Sequence, residues 1–411
     1  MTLAHIVPGL QPQIDGVGDY ALNLAHHLRE SHGIQSRFIV CDPQWDGPSR
    51  VDGFAVRRLR VRNEAGIWSL LASAKEQNAT ALLHFTGYGY QQLGVPFWLY
   101  RGTKSWLADN ASDDKQLFTV FHELWSSTAA PWKGQIFLKV LQHWLVQALH
   151  RNSSLSVTGT RSMQAMLDRI QPNKTLCLPM PSNIPMFEAP KPGRRRNARL
   201  RVAIFGQKRS RAATIRGHAN LLSSLQKKDL LASAMLIGKG LNPSEPPNEE
   251  VNLLQKSVAR ARIEVLGELS PEDVSRSLGN ADLFLSHHPA EVACKSGAVM
   301  AALAAGCPAV LRDGRNSAPL NESEHFIASN DSQSDVERFE QLAAGGHLER
   351  IALAGRSWYE RHADWKVVAN EYHLALSHHA SRPPGAGSLK QPVNSKGNAG
   401  APAICPQVSA S

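Results

Sequence analysis

Short apolar runs alternate with helical patterns along most of the chain. The first run, residues 3–8, gives way to a glycine-containing loop. Ala21, Leu24, Ala25 and Leu28 then recur at helical spacing, so the chain opens as a strand–loop–helix unit. Further apolar runs follow at residues 36–41, 54–59, 81–85, 117–122, 155–158 and 175–178, with helical segments such as 67–76 and 136–150 between them. Most of these runs are continuously apolar rather than alternating, the pattern of parallel strands buried on both faces. Strands alternating with helices predict a doubly wound parallel sheet.

The pattern breaks at residues 189–198 (APKPGRRRNA) on proline, glycine and a charge run, and then restarts. Residues 201–205 read as a strand ending at Gly206, and 234–237 as one ending at Gly238 and Gly240; 263–266, 283–286 and 309–311 complete the set. The expected organisation is therefore a first α/β domain over 1–188, a linker over 189–198 and a second α/β domain over 199–363. Residues 364–379 hold a last helix. The segment 380–411 is rich in Pro, Gly, Ser and Asn, has no hydrophobic period and is predicted to be a disordered tail.

The bulk properties narrow the class further. A chain of 411 residues exceeds one ordinary core, and two or three domains are expected. No apolar stretch reaches the roughly 18–20 residues of a spanning helix. The longest, 298–311, is interrupted by Gly306 and Pro308. The opening MTLAHIVPGL does not read as a signal peptide, so the expected location is the cytoplasm, with peripheral contact at the inner membrane face as the other option. Five widely spaced cysteines (Cys41, Cys177, Cys294, Cys307, Cys405) without a C-x-x-C pair argue against a disulfide scaffold or a zinc site. The net charge of +10 is concentrated: ten Lys and Arg and no acid lie between Lys191 and Arg216. Such a cluster attracts phosphate. Aromatic residues do not interleave with it, as a single-strand nucleic-acid surface requires, so no nucleic acid is expected as a partner.

Several places combine chemistry with a strand end. Gly16, Val17 and Gly18 lie between the first strand and the first helix, where glycines admit a ligand and a helix start attracts an anion. His122, in Phe121-His122-Glu123, closes another strand, where it can accept a proton or donate a hydrogen bond; His84 is a similar, weaker case. Gly206, Lys208, Arg209 and Arg216 follow the first strand of the second domain, and Gly238 follows its second; cations there can neutralise a diphosphate. His287-His288-Pro289-Ala290-Glu291 leads into Lys295, Ser296 and Gly297 at the mouth of an apolar helix over 298–305, a second anion site. The stripe of Phe137, Val140, Leu141, Trp144, Leu145 and Ala148, flanked by Lys133, Lys139, His143 and His150, is read as core-facing in preference to membrane-facing.

Taken together these segments resemble glycosyltransferase family 4 and its relatives with the GT-B fold, over most of the chain up to the last helix. Residues 15–20 look like that family's early glycine loop, Phe121-His122-Glu123 like its strand-end histidine motif, and 176–185 like the strand before the crossover. Phe205-Gly206 with Arg216-Gly217 is similar to its phosphate segment, and 279–310 to its donor-binding segment. The FHELW context and the Lys-Ser-Gly helix resemble a variant branch associated with polysaccharide assembly. A second glutamate usual in the family would fall on Val299 or Ala301 here, and is absent.

The resemblance implies two Rossmann-like domains facing a central cleft, with the 364–379 helix packing back on the first domain. It implies retaining, metal-independent transfer of a sugar from a nucleotide-sugar donor to a saccharide or lipid-linked acceptor, with no cofactor. His122 and Glu291 would serve the sugar or acceptor. Gly16, Val17, Gly18, Gly206, Lys208, Arg209, Arg216, Gly238, Lys295, Ser296 and Gly297 would serve the donor. The missing glutamate leaves a second reading open, a catalytically weak binding or scaffold subunit of a polysaccharide-assembly complex.

Overall fold

Residues 2–13, 15–73, 80–109, 115–125, 133–186, 199–242, 248–258, 260–314, 317–344 and 346–380 are described by a computed structural model of the protein. The expected linker 189–198 and the tail from 381 onward lie outside these residues.

The first half of the chain supplies β1 Thr2–Val7, β2 Gln35–Val40, β3 Arg50–Val51, β4 Phe54–Arg58, β5 Thr80–Phe85, β6 Gln116–Phe121, β7 Leu155–Thr158 and β8 Thr175–Cys177. They form one sheet in the order β3-β4-β2-β1-β5-β6-β7-β8, parallel throughout except for the β3–β4 hairpin at its edge. The second half supplies β9 Leu200–Phe205, β10 Leu231–Ile237, β11 Arg262–Gly267, β12 Leu283–Pro289, β13 Ala309–Arg312 and β14 Phe326–Ser329, in the all-parallel order β11-β10-β9-β12-β13-β14. Both orders reverse direction beside the first strand of their sheet, at β1 and at β9. Such reversal points open a crevice at the carboxyl ends of the strands, where ligands of open α/β sheets bind.

The burial of the strands follows from their composition. All six residues of β5 are buried, as are the last five of β6. Helices cover both faces of each sheet, and the apolar side chains between the layers form separate clusters on the two faces. The helix Gly297–Ala304 is apolar all round and buried from Val299 onward, so it is core on every side except at its start. Cys41, Cys294 and Cys307 are buried in these layers, and Cys177 is partly buried.

The last helix, Trp365–Ala380, returns to the first half. Val368, Ala369, Tyr372 and Leu376 join the cluster that holds Leu24 and Leu28 of the helix Gly16–His32. The Tyr20 and Tyr372 hydroxyls lie 3.2 Å apart in this layer. Trp365 Nε1 donates to the Ser182 carbonyl at 2.8 Å, and the Ser182 amide donates to the Tyr359 hydroxyl at 3.3 Å. The connection between the two halves is thus tied to the helix pair that crosses back over it.

Candidate active site

A cleft of about 800 Å³ lies between the carboxyl ends of the two sheets. Its walls come from both halves: Gly16, Val17, Tyr20 and His122 from one, and Gly206, Ser210, His287, His288 and Lys295–Ala298 from the other. The Met180 amide donates to the Cys294 carbonyl at 2.8 Å, so backbone of the first half seats the turn that carries Lys295. Three helices begin at this cleft: Gly16–His32, Lys208–Gly217 and Gly297–Ala304. Each start carries partial positive charge and amides without an intrahelical acceptor.

The three starts differ in how they are capped. Asp15 takes the Val17 and Gly18 amides on its carboxylate, both at 2.9 Å. Ser296 Oγ takes the Val299 amide at 3.4 Å. Gln207 makes no side-chain cap for the Lys208 helix. A Cβ added at Gly16 or Gly297 would meet nothing within 4 Å, so both glycines face open cleft. Gly18 is different, because a Cβ there would run into the Gly9 carbonyl. Gly18→Ala is therefore expected to cost about 1–3 kcal/mol through overpacking, while Gly16→Ala leaves the melting temperature unchanged. Thermal melts of the two variants separate them. Equal destabilisation by both substitutions would contradict this division.

The cations are placed differently from the sequence expectation. Lys295 is the one Lys or Arg among the residues lining the cleft. Lys208 and Arg209 are exposed and do not line it. Arg216, at the far end of its helix, pairs with Glu249 at 2.8 Å on the surface. Helical geometry explains the correction. Gln207, Ser210 and Thr214 share the face turned to the cleft, which leaves 208, 209 and 216 on other faces. A positive helix start stands where side-chain cations were expected.

Arg211 of the same helix points inward and is fully buried with Glu250: Nε–Oε1 is 2.6 Å and Nη2–Oε2 is 3.2 Å. It also donates to the Gly206 carbonyl and, at 3.0 Å, to the Lys239 carbonyl. One guanidinium thereby braces the loops after β9 and β10. Gly238, φ 136°, packs against Gly206 at this brace, and lines a neighbouring cavity of about 570 Å³ with Lys239 and Glu268 rather than the main cleft. Glu250→Ala would leave Arg211 charged, buried and unpaired. The expected loss is about 3 kcal/mol, read as a lower urea midpoint; an unchanged midpoint would contradict the bracing role.

Glu291, expected at the sugar, sits in the first turn of a short 3-10 helix, Ala290–Lys295, and does not line the cleft. Its carboxylate is held over Gly314, in the loop after β13. Val299 and Ala301, where a second glutamate would fall, are buried core.

Three histidines, His122, His287 and His288, stand on the polar wall with the carboxylates of Asp15 and Glu123. His122 follows β6, with its amide bonded to the Phe85 carbonyl at 3.0 Å. Burial, and then the Lys295 charge, push its pKa down to about 3. His287 and His288 at the end of β12 have ring centroids 4.1 Å apart. Burial lowers both, and the second, with further contributions from His287 and Lys295, falls to about 4. His287 is held by Thr214 through its amide at 3.1 Å and its Nδ1 at 3.3 Å. These rings are neutral at pH 7, so the charged side chains of the cleft wall are Lys295 and the carboxylates of Asp15 and Glu123, and Asp15 is engaged in capping its helix.

The helix Lys133–Asn152 departs from the core-facing expectation in its first half. Leu145, Val146 and Leu149 are buried, but Ile136, Phe137, Val140 and Trp144 are 71, 68, 59 and 49% exposed. Trp144 packs edge-on against Phe97 and Tyr100 of the helix Phe97–Ala108. Neither helix contains an acid, and Arg101, Lys104 and Lys139 lie among the aromatics. Among the described residues no helix is long and apolar enough to cross a membrane.

No protein-family model and no curated protein matches this sequence. Solved structures do match in three dimensions. A glycosyltransferase from Rickettsia africae superposes with a TM-score of 0.63 at 13% identity, covering 93% of this chain and 99% of that one. HepE of Anabaena, solved with UDP-glucose, gives 0.61 at 13% identity over 92% and 100% of the two chains. WaaG, a glycosyltransferase involved in lipopolysaccharide biosynthesis, gives 0.57 at 14% identity over 90% and 98%. The chain has the GT-B fold. Two Rossmann-like halves and the cleft between them are the shared features of a GT-B chain, and at such identities the likeness extends to the fold alone. The chemistry rests on the residues in the GT-B cleft.

Tyr20, the end of the 15–20 segment, reaches the cleft by the helical period from Gly16. Ser210 and Thr214 carry no motif in the sequence and reach it by the period from Gln207. That period was available in the sequence, and would have separated them from Lys208 and Arg216.

Proposed function

We propose that the protein is a glycosyltransferase, moving a sugar from a nucleoside-diphosphate donor to a saccharide or lipid-linked acceptor with retention of configuration and without a metal. The observation that carries this reading is the convergence of three helix starts and Lys295 on one cleft of about 800 Å³, the size of a nucleotide-sugar site. The diphosphate lies against the starts at Gly16, Ser210 and Gly297, where amides and helix dipoles stabilise an anion. Lys295 meets the charge that grows on the departing diphosphate. His122, across the cleft, contacts the transferred sugar. The nucleoside extends into the adjoining cavity beside Gly238, Lys239 and Glu268. HepE was solved with UDP-glucose, which supports a uridine donor. Retention and the polysaccharide-assembly branch rest on the family resemblance.

A panel of nucleotide sugars tests this by thermal stabilisation. A donor at 100 times its Kd adds about 2.7 kcal/mol, and the same donor should then be turned over. Failure of every nucleotide sugar to stabilise the protein would contradict the reading. Stabilisation without turnover on any acceptor would favour a binding subunit, a reading kept in view by the buried apolar residues at Val299 and Ala301.

We further infer that the acceptor is lipid-linked and that the protein docks on an anionic membrane through Ile136, Phe137, Val140 and Trp144. Exposed aromatic and aliphatic side chains on a helix pair that carries bases and no acid suit the headgroup boundary. Phe137→Asp with Val140→Asp should reduce co-flotation with phosphatidylglycerol vesicles at least tenfold without changing the melting temperature. Equal flotation of the two proteins would remove the membrane assignment and leave the donor site untouched.

A further inference from the structure

Four adjacent strands carry a file of polar side chains that ends in the cleft. Ser36 on β2, His5 on β1 and His84 on β5 are buried, and His122 follows β6. Ser36 Oγ lies 3.2 Å from His5 Nε2, and His5 Nδ1 lies 3.0 Å from His84 Nε2. His84 Nδ1 lies 3.4 Å from His122 Nε2. Every ring points the same way, Nε2 back and Nδ1 forward. His122 Nδ1 is left as the ring nitrogen free for the cleft.

The surroundings hold this file rigid. His5 stacks on Phe38 at 4.9 Å and on His84 at 5.3 Å. His84 stacks on His122 at 5.6 Å, and Tyr20 meets both rings on edge. Among the described residues no carboxylate hydrogen-bonds to any of the three rings. The charge that acts on them is Lys295, at His122. Burial keeps His5 and His84 well below their ordinary pKa as well.

In a head-to-tail file of neutral imidazoles the tautomers are coupled. If His122 carries its proton on Nε2 it donates to His84 Nδ1, which places the His84 proton on Nε2, toward His5 Nδ1. The His5 proton then lies on Nε2, toward Ser36 Oγ. The opposite arrangement runs every bond the other way, and ends with Nδ1–H in the cleft. Lys295 lines the same cleft as His122 and favours the first, because a cation facing the ring prefers a lone pair to an N–H.

We propose that Ser36, His5 and His84 are positioning residues that hold His122 in the Nε2–H tautomer, with its Nδ1 lone pair fixed in the cleft as an acceptor for a sugar hydroxyl. The role in transfer rests on the glycosyltransferase reading above; the tautomer itself does not. An acceptor so fixed needs no reorganisation when the sugar hydroxyl tightens its bond as charge develops. No proton moves along the file during the reaction.

The test is nitrogen-15 spectroscopy of histidine-labelled protein, with His122 assigned by difference against His122→Gln. The wild type should show His122 neutral, protonated at Nε2 and bare at Nδ1, from pH 6 to 8. His84→Leu removes the acceptor for that N–H. It should give His122 mixed tautomers and lower kcat about tenfold, with the donor KM within twofold. His84→Asn, whose carbonyl can take the place of Nδ1, should restore both. A wild-type His122 with Nδ1–H, or with averaged tautomers, overturns the proposal even if His84→Leu does not fold. An unchanged tautomer or unchanged kcat in folded His84→Leu overturns it too. A wild type that transfers no sugar at all counts against the glycosyltransferase reading, while the spectrum still decides the tautomer.

Discussion

Lys295→Ala is expected to lower kcat/KM for sugar transfer about 100-fold, equivalent to about 2.7 kcal/mol of lost transition-state stabilisation. The size follows from its isolation. Lys208 and Arg209 do not reach the cleft wall, and Arg216 is paired with Glu249, so no second side-chain cation among the lining residues takes over. Lys295 also sits where both halves meet: its Cβ packs beside Gly159, and its charge is felt by His122 and His288. Most of the loss should fall on kcat, because the charge on a departing diphosphate grows in the transition state. Lys208→Ala and Arg216→Ala should stay within about twofold. Steady-state kinetics of the three variants checks the ranking, and a larger loss in Arg216→Ala than in Lys295→Ala would reverse it.

Mild acid should destabilise the fold by about 6 kcal/mol between pH 7.5 and pH 5, a large part of a typical folding free energy. Burial holds His5 and His122 near pKa 3 and His288 near 4 in the folded chain. In the unfolded chain each returns to about 6.5. The folded-state values are lower, so below pH 6.5 the unfolded chain binds more protons. Stability is full above that pH and falls as pH drops toward the folded values. At pH 5 each of the three contributes a loss of about 2 kcal/mol. His84 is shifted in the same direction and adds to it. Urea midpoints at pH 7.5, 6 and 5 measure the effect, above the range in which most carboxylates titrate. A midpoint that does not move would mean that these rings are solvated or already charged in the native state.

The architecture was legible where the physics is local. Continuous apolar runs gave the long buried strands, and the second sheet begins at β9, where the apolar pattern restarts. The two-residue β3 and the short β14 were not read. The first is a hairpin edge whose signal was the Asp52-Gly53 turn, both residues at positive φ. The second, Phe326–Ser329, has only two large apolar residues, Phe326 and Ile327, before Ala328 and Ser329, so it does not stand out as an apolar run.

The site was legible by position along the chain and less so by direction of side chains. The cluster of bases after β9 points to a loop that lines the cleft through Gly206 and Gln207. Which base faces the cleft depends on where the helix begins and how its period turns, and that put Ser210 and Thr214 inside and Arg216 outside. Glu291 illustrates the same limit, since a 3-10 turn after β12 carries its carboxylate to Gly314. The exposure of Phe137 and Trp144 also depends on what packs above their helix, which the stripe itself does not encode. The histidine file was invisible for another reason. His5, His84 and His122 are far apart in sequence, and meet because β1, β5 and β6 are neighbours in the sheet.

The most direct measurement is a crystal structure with a bound nucleoside diphosphate. The account predicts both phosphates in the cleft, within hydrogen-bonding distance of Lys295 Nζ and of backbone amides at the starts of the Gly16, Lys208 and Gly297 helices. A diphosphate bound on the outer surface by Lys208, Arg209 or Arg216, with the cleft empty, would contradict it.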